Sequence, residues 1–472
     1  MKAVMVILFC VIAQLSKAQI TFEKWLGRVN YDDARGVIQL PDSGYAILSH
    51  TSSWGQGNFD LQLIRLNKFG DTLWTKLYGG AGKEFSSSGV IKSTPDKGFI
   101  IAGNTYSYGI GTPANFNWYL IKTDSLGNAS WTKIWGSSGN DELKHVLPTS
   151  DGNYLLSGSW LMSGVGGQTK GILLKVDSIG NTIWGDTLLS IASSHFMWAC
   201  EKNPNEYVVS GYTSGSNGSD AVLRKYDASG NMLINKIIDY GKAESATTVE
   251  PVPSGGYICS GAHGISFGYD PWILRLDDNL DTMFTKKMDF IYSIAIASAK
   301  EYSIYPQGSG FIICGADSNK LMVRKTDANL NTIWERLYGG TSGEMAYEGI
   351  PTNDQGIIAV GNTYSYGSGG DCYIVKTDSQ GMQVNTVGIS PIEPEKFSVA
   401  PNPFTDYILI RGNMGDCKKT LTITDVQGRT VFSTLLANNI EKIDLSHLPN
   451  NIYIIMLFDN TEVRRCKLVK NK

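Results

Sequence analysis

Catalytic signatures are missing from this chain of 472 residues. It has no GxSxG elbow, no HExxH pair, no P-loop and no GxGxxG opening a helix, so the motif-borne hydrolase, zinc-protease, NTPase and dinucleotide chemistries have nothing to stand on. Histidine is scarce: His50, His145, His195, His263 and His447 are the whole complement, each in a different context. Charged residues are only 18% of the chain, and the net charge of -3 leaves no basic footprint for nucleic acid. No cysteine sits in a CxxC pair, which argues against structural zinc. No apolar run is long enough for a transmembrane helix.

What is plentiful points to strands and turns. Glycine numbers 52 and aromatics reach 11%. Glycine supplies the positive φ of tight turns and aromatics fill pleated surfaces, so an all-β protein is expected. The first 18 residues read as an export signal: Lys2, then the apolar stretch Val4 to Ile12, then Ser16-Lys17-Ala18 with cleavage before Gln19. The mature chain is thus expected outside the cytoplasm. There, Cys200, Cys259, Cys314 and Cys372 fall in or beside apolar strand patterns. Cys259 and Cys314 are offset by one residue relative to the next glycine, which puts them on opposite sheet faces as buried free thiols. Cys417 and Cys466 are the better disulfide candidates.

Internal repetition dominates. The form Asp-x-x-Gly-x-x-x-Trp starts at Asn67, Asp124, Asp177, Asp227, Asp277, Asp327 and Asp378, seven copies spaced by 50 to 57 residues. A second segment recurs in step, as GYAILSHT from Gly44, GFIIAGNT from Gly98 and GIIAVGNT from Gly356. A period of about 50 residues holds four short strands, one propeller blade. Trp74, Trp131, Trp184 and Trp334, replaced by Ile234 and Phe284 in other copies, pack between blades. In the seventh copy Asn385 stands at the anchor position, while Thr21 to Gly27 resembles the other outer strands, with Phe22 at the Trp place. The expected fold is a seven-bladed β-propeller over residues 19–387, closed by the N-terminal strand. It resembles the Asp-x-x-Gly-x-x-x-Trp repeat propellers of exported bacterial proteins, a likeness that carries no catalytic residue across.

Residues 388–396 have the proline and charge of a linker. Beyond them, residues 397–472 alternate strands and polar turns, the pattern of a small β-sandwich. Pro401-Asn402-Pro403, Asp425-Val426-Gln427-Gly428-Arg429 and Leu448-Pro449-Asn450-Asn451-Ile452-Tyr453 stand in the order of the type IX secretion C-terminal sorting domain, the Por secretion tail, which this segment resembles. The resemblance implies that the type IX translocon is a partner. Asn451 departs from the family's usual glycine; asparagine tolerates the left-handed conformation, so the turn can survive.

Two sets of residues are candidates for function. Loops between the second and third strands carry Trp54, Phe59, Tyr106, Tyr108, Trp160, Tyr212, Phe267, Tyr269, Tyr364 and Tyr366, rings suited to stacking on sugars or holding peptide side chains. Ten residues beyond the outer-strand anchor stand Asp32, Glu84, Asp141, Glu244 and Glu344, with Ser194 and Ile294 in the other copies. Those acids are expected either to hold backbone N–H groups at blade crossings or to ring the channel mouth, where Ca²⁺ or acid–base chemistry would use them. No other cofactor is expected. The loop histidines His50 and His263 are expected in solvent. The function expected is glycan or protein binding, with a polysaccharide hydrolase or lyase as the alternative.

Overall fold

The computed structural model describes residues 19–471 apart from 88–89, 163–166, 189–192, 216–217, 266–267, 289–302, 308–309, 384–396, 413–418, 437–439 and 459–462. The expected signal segment, the linker and Asn385 lie outside the described residues. Every regular element described is a strand. The chain divides at Val384/Asn385 into two compact units.

The first unit holds, among the described residues, seven antiparallel sheets. Sheet 1 takes Asp32–Gln39, Tyr45–Thr51, Asp60–Leu66 and Thr72–Tyr78 in chain order. Sheets 2 to 6 occupy residues 84–135, 142–188, 194–238, 243–287 and 303–338; in sheet 2 the first strand is split into Glu84–Phe85 and Ile91–Ser93, both paired to Phe99–Thr105. Sheet 7 joins Glu344–Pro351, Ile357–Thr363 and Asp371–Thr377 to the distant Phe22–Leu26.

The sequence pattern explains each strand's place. Tyr45–Thr51 and Asp60–Leu66 are buried at every residue, so they read as continuous apolar runs rather than alternating ones. Thr72–Tyr78 alternates, with one face in solvent. Its Trp74 lies opposite Arg65, as Trp131 lies opposite Lys122, Trp184 opposite Lys175 and Trp334 opposite Lys325. Phe22 lies opposite Lys376, so the N-terminal strand enters sheet 7 in the register of an outer strand.

The core lies between sheets. One cluster spans sheets 1, 2 and 3, and further clusters join 3 to 4, 4 to 5, 5 to 6 and 6 to 7. Another joins sheet 7, through Ile358, Val360 and Ile374, to Ala34, Ile47 and Ile64 of sheet 1. The outer anchors follow the same order. A Cβ added to Gly127 of sheet 2 would stand 2.8 Å from the Trp74 ring of sheet 1, and one on Gly70 of sheet 1 would stand 2.8 Å from the Phe22 ring. Burying each such ring stabilises by roughly 1.5–3 kcal/mol.

The second unit packs a three-stranded sheet (Phe397–Ala400, Tyr407–Gly412, Ile440–Asp444) and a four-stranded sheet (Thr430–Leu436, Lys419–Asp425, Ile452–Phe458, Val463–Val469) around Ile410, Ile423, Ile455 and Leu468. Asp425 Oδ1 accepts the backbone N–H groups of Gln427 and Arg429 and so closes the turn whose Gly428 has φ +82°. Asn451 is not among the positive-φ residues, so asparagine there carries no left-handed strain. Cys466 is a free thiol, and Cys417, the other disulfide candidate, lies outside the described residues. Cys259 and Cys314 are buried and free.

Candidate functional site

The loops that join second to third strands, and the crossings from one sheet to the next, emerge at the same end of the sheets. Their shape is set by the acid that recurs in five of the seven sheets. Asp32, Glu84, Asp141 and Glu244 are fully buried and Glu344 is 4% exposed. Asp32, Glu84 and Asp141 each accept the N–H four residues earlier, from Arg28 (3.1 Å), Gly80 (3.0 Å) and Ser137. The other oxygen reaches the neighbouring loop. Thr105 Oγ1 donates to Glu84 at 2.7 Å and Thr363 Oγ1 to Glu344 at 3.0 Å. Leu161 N–H donates to Asp141 at 2.9 Å. In Asp32 it is the same Oδ2 that accepts both Arg28 N–H and, at 2.6 Å, Ser53 Oγ. The same threonine oxygens then accept the N–H two residues on, from Ser107 and Ser365, each at 3.0 Å. That turn throws the following aromatic residues outward. These buried acids present no open carboxylate ring. Ser194 fills the place in sheet 4, donating to the Leu188 carbonyl at 2.9 Å, and Ile294 lies outside the described residues.

The loop aromatics gather mainly on sheets 7, 1 and 2. Tyr364 lies 6.2 Å from Tyr31, Tyr31 6.1 Å from Phe59, and Lys83 Nζ sits 4.9 Å over Phe59 and 5.4 Å over Phe85. Phe85 then meets Phe116 at 5.0 Å, and Phe116 meets Tyr106 at 5.2 Å. Tyr364 is 46% exposed and Lys83 is exposed, while the rings between them are half-buried, so the row is open to solvent along its length. Beside it a groove of about 450 Å³ is lined by Trp25, Arg28, Trp54, Ser368 and Asp371 among others. Trp25 is 40% exposed and stacks on Tyr366 at 4.9 Å, and the Arg28 guanidinium lies 5.2 Å over Trp54. Burial, together with the nearby Asp32 carboxylate, pushes the Asp371 carboxyl up to about 6, against the pull of the Ser368 N–H.

The remaining loop aromatics are spread out. Trp160 packs edge-on to Trp118, Tyr212 stacks on His195, and Tyr108 donates its hydroxyl to the Gly79 carbonyl while packing on Tyr119. Phe267 and the Tyr269 side chain lie outside the described residues. Sequence reasoning missed Arg28, Tyr31, Lys83 and Phe85 because attention to the second-to-third loops passed over the crossings, and it also missed Trp25 on the N-terminal strand and Phe116 at the end of such a loop. The signal was present: Tyr31 and Phe85 flank the recurrent acids Asp32 and Glu84 directly. The loop histidines are not solvated. His50 is 6% exposed between Asp33 (3.1 Å) and Ser86 (2.9 Å), and His263 Nδ1 lies 2.9 Å from Glu244.

Sequence reasoning also passed over a polar cluster on the first strands. Glu250 accepts the Trp198 indole N–H at 2.9 Å, Lys92 Nζ lies 5.3 Å over the same ring, and His145 stacks on it at 3.9 Å. Burial raises the Glu250 carboxyl to about 7, with Lys92 and the indole opposing and Glu348 assisting. Among the described residues, the group of acids able to hold a metal ion is Asp220, Asp239 and Glu244.

Residues 398–471 match the secretion system C-terminal sorting domain. This tail directs the chain through type IX secretion to the cell surface or the extracellular space. No helix among the described residues is long and apolar enough to cross a membrane. No curated protein matches the chain. Similar solved structures include the polysaccharide lyase Uly1, with 9% identity, 76% of this chain and 100% of that chain covered, and a TM-score of 0.47. An alpha-L-arabinanase of Penicillium chrysogenum has 11% identity, covers 61% and 92% respectively, and scores 0.42. A protein of unknown function from Dyadobacter fermentans has 11% identity, covers 75% and 97%, and scores 0.44. Likeness this distant carries no argument about chemistry.

Proposed function

We propose that this chain is a non-enzymatic binding protein of the cell surface or extracellular space: a seven-bladed β-propeller, closed by its N-terminal strand, whose crossing face takes a glycan or protein ligand. The carrying observation is the open aromatic row from Tyr364 to Tyr106 with the Trp25–Trp54 groove beside it. Flat rings held by buried acids lose little entropy on binding, and sugar rings stack on such faces while Arg28 and the loop serines supply hydrogen bonds. The ring closure is supported by the Phe22 register and by the cluster joining sheets 7 and 1.

The test is a glycan array and a surface-protein pull-down with the full secreted chain, beside a Trp25→Ala/Trp54→Ala variant. Each stacked ring contributes about 0.5–1.5 kcal/mol, so the double variant should bind roughly 5- to 150-fold more weakly. No ligand for the wild type, or equal binding by the variant, removes the reading. The alternative, a polysaccharide hydrolase or lyase, draws on one observation, the Asp371 carboxyl poised near 6 in the groove lining. Shortening of a bound polysaccharide that is lost in Asp371→Asn would favour it. Glu84, Asp141 and Glu344 are less suited, because each is already engaged by its own sheet.

A further inference from the structure

We infer that the crossing between sheets 4 and 5 is a calcium site built from Asp220, Asp239 and Glu244. The argument begins with what stands at this place elsewhere. Five residues before the recurrent acid, sheets 7, 1, 2 and 6 hand over to the next through Gly27, Gly79, Gly136 and Gly339. A Cβ there would stand 1.6 Å from Asp371, 1.8 Å from Asp60, 2.4 Å from Asn117 and 2.3 Å from Glu344, respectively. The polar side chains fill that space, and glycine is what leaves room for them. In the crossing that leads to Glu244 the same place holds Asp239, so a third carboxylate enters where those four crossings hold glycine.

The result is three acids whose ligand oxygens lie within 4.8 Å of one another. The second observation comes from Glu244. It is fully buried, its Oε1 is held by His263 Nδ1 at 2.9 Å, and its Oε2 has no hydrogen-bond partner among the described residues. A buried carboxylate oxygen without a partner costs several kcal/mol unless a charge of opposite sign answers it. Asp239 gives Oδ1 to the Gly241 N–H at 2.7 Å and is exposed, and Asp220 is half-buried, so an ion can enter from solvent and lose its water in stages.

The donor set selects the ion. Three hard carboxylates with no thiolate suit Ca²⁺, and a calcium shell of 6–8 oxygens is completed by waters. The tight octahedral demand of Mg²⁺ is met less readily by acids from separate segments. Calcium would bind these acids independently of the aromatic face, so this site and the ligand reading stand or fall separately.

The experiment uses the full chain freed of metal with EDTA and titrated with CaCl2 by calorimetry. Terbium luminescence, sensitised by Tyr240 next to Asp239, is the second readout. One ion should bind with an affinity of about 10⁻⁴–10⁻³ M, the range of extracellular calcium modules, and should raise Tm. Asp239→Gly restores the residue that four other crossings carry, and it should weaken binding at least about tenfold with its own Tm unmoved by calcium. Asp239→Asn, which keeps the acceptor for Gly241, should do the same and covers the case in which the glycine variant misfolds. No heat or terbium signal from the wild type up to about 10 mM calcium, ten times the weakest affinity expected, overturns the site. So does undiminished binding by both variants, or equal affinity for Mg²⁺.

Discussion

At the scale of the residue, the first unit is held by carboxyl groups in unusual surroundings. The recurrent acids trade hydration for backbone N–H and side-chain hydroxyl partners, with donors at 2.6–3.1 Å on both oxygens of Glu84 and on Oδ2 of Asp32. Glu250 is the contrary case, since its carboxyl is raised to about 7 from an ordinary value of 4.5. The folded protein therefore holds a proton there that the unfolded chain releases. Stability from this group is complete below pH 4.5 and is lost as pH rises through about 7. Lys92, the Trp198 indole and Glu348 are the polar groups that bear on it. Between these limits the wild type should lose stability relative to Glu250→Gln, whose amide stays neutral. Denaturant unfolding of both proteins across that range checks it, and a pH-independent difference would show that Glu250 titrates normally.

At the scale of the element, the contact between neighbouring sheets is a matched pair. Where the outer strand offers Trp74, Trp131, Trp184 or Trp334, the facing turn offers Gly127, Gly180, Gly230 or Gly381. Where it offers the smaller Ile234 or Phe284, the core cluster it packs against contains Leu280 or Leu330, which accept φ near +62° to fill the space. The strain of about 1–2 kcal/mol for a left-handed leucine is offset by burying its side chain. Gly127→Leu alone should therefore destabilise by about 2 kcal/mol or more, from overpacking on Trp74. Adding Trp74→Ile should recover about 1 kcal/mol or more, and a double-mutant cycle in urea measures it. Simple additivity would mean that the two positions do not share one space.

At the scale of the whole molecule, two units divide the work: the first carries the aromatic face, and the second carries the sorting domain matched at residues 398–471. The tail has its own core, from Phe404 to Leu468, and its own paired strands, so its removal leaves the first unit's sheets intact. Deleting residues 397–472 should retain the rest of the chain in the periplasm, with none in the medium or on intact cells. Fractionation with immunoblotting reads this out, and unchanged delivery would detach export from the tail.

Much of this was legible along the chain. The seven Asp-x-x-Gly turns, the Phe22 anchor and the tail's Asp425–Arg429 turn are set by neighbours in sequence: side-chain oxygens closing on N–H groups two and four residues away, or a strand's own alternation. The candidate site was only half legible. Trp54, Phe59, Tyr106 and Tyr364 could be named from their loops, but Trp25, Tyr31 and Asp371 join them only because segments more than three hundred residues apart meet where sheet 7 lies against sheet 1. Likewise, whether an acid faces solvent or is spent on a backbone, and whether three acids converge, depends on distances through space. Local chemistry dictates turns and strands; burial and the meeting of charges are properties of the packed chain, and only folding sets them.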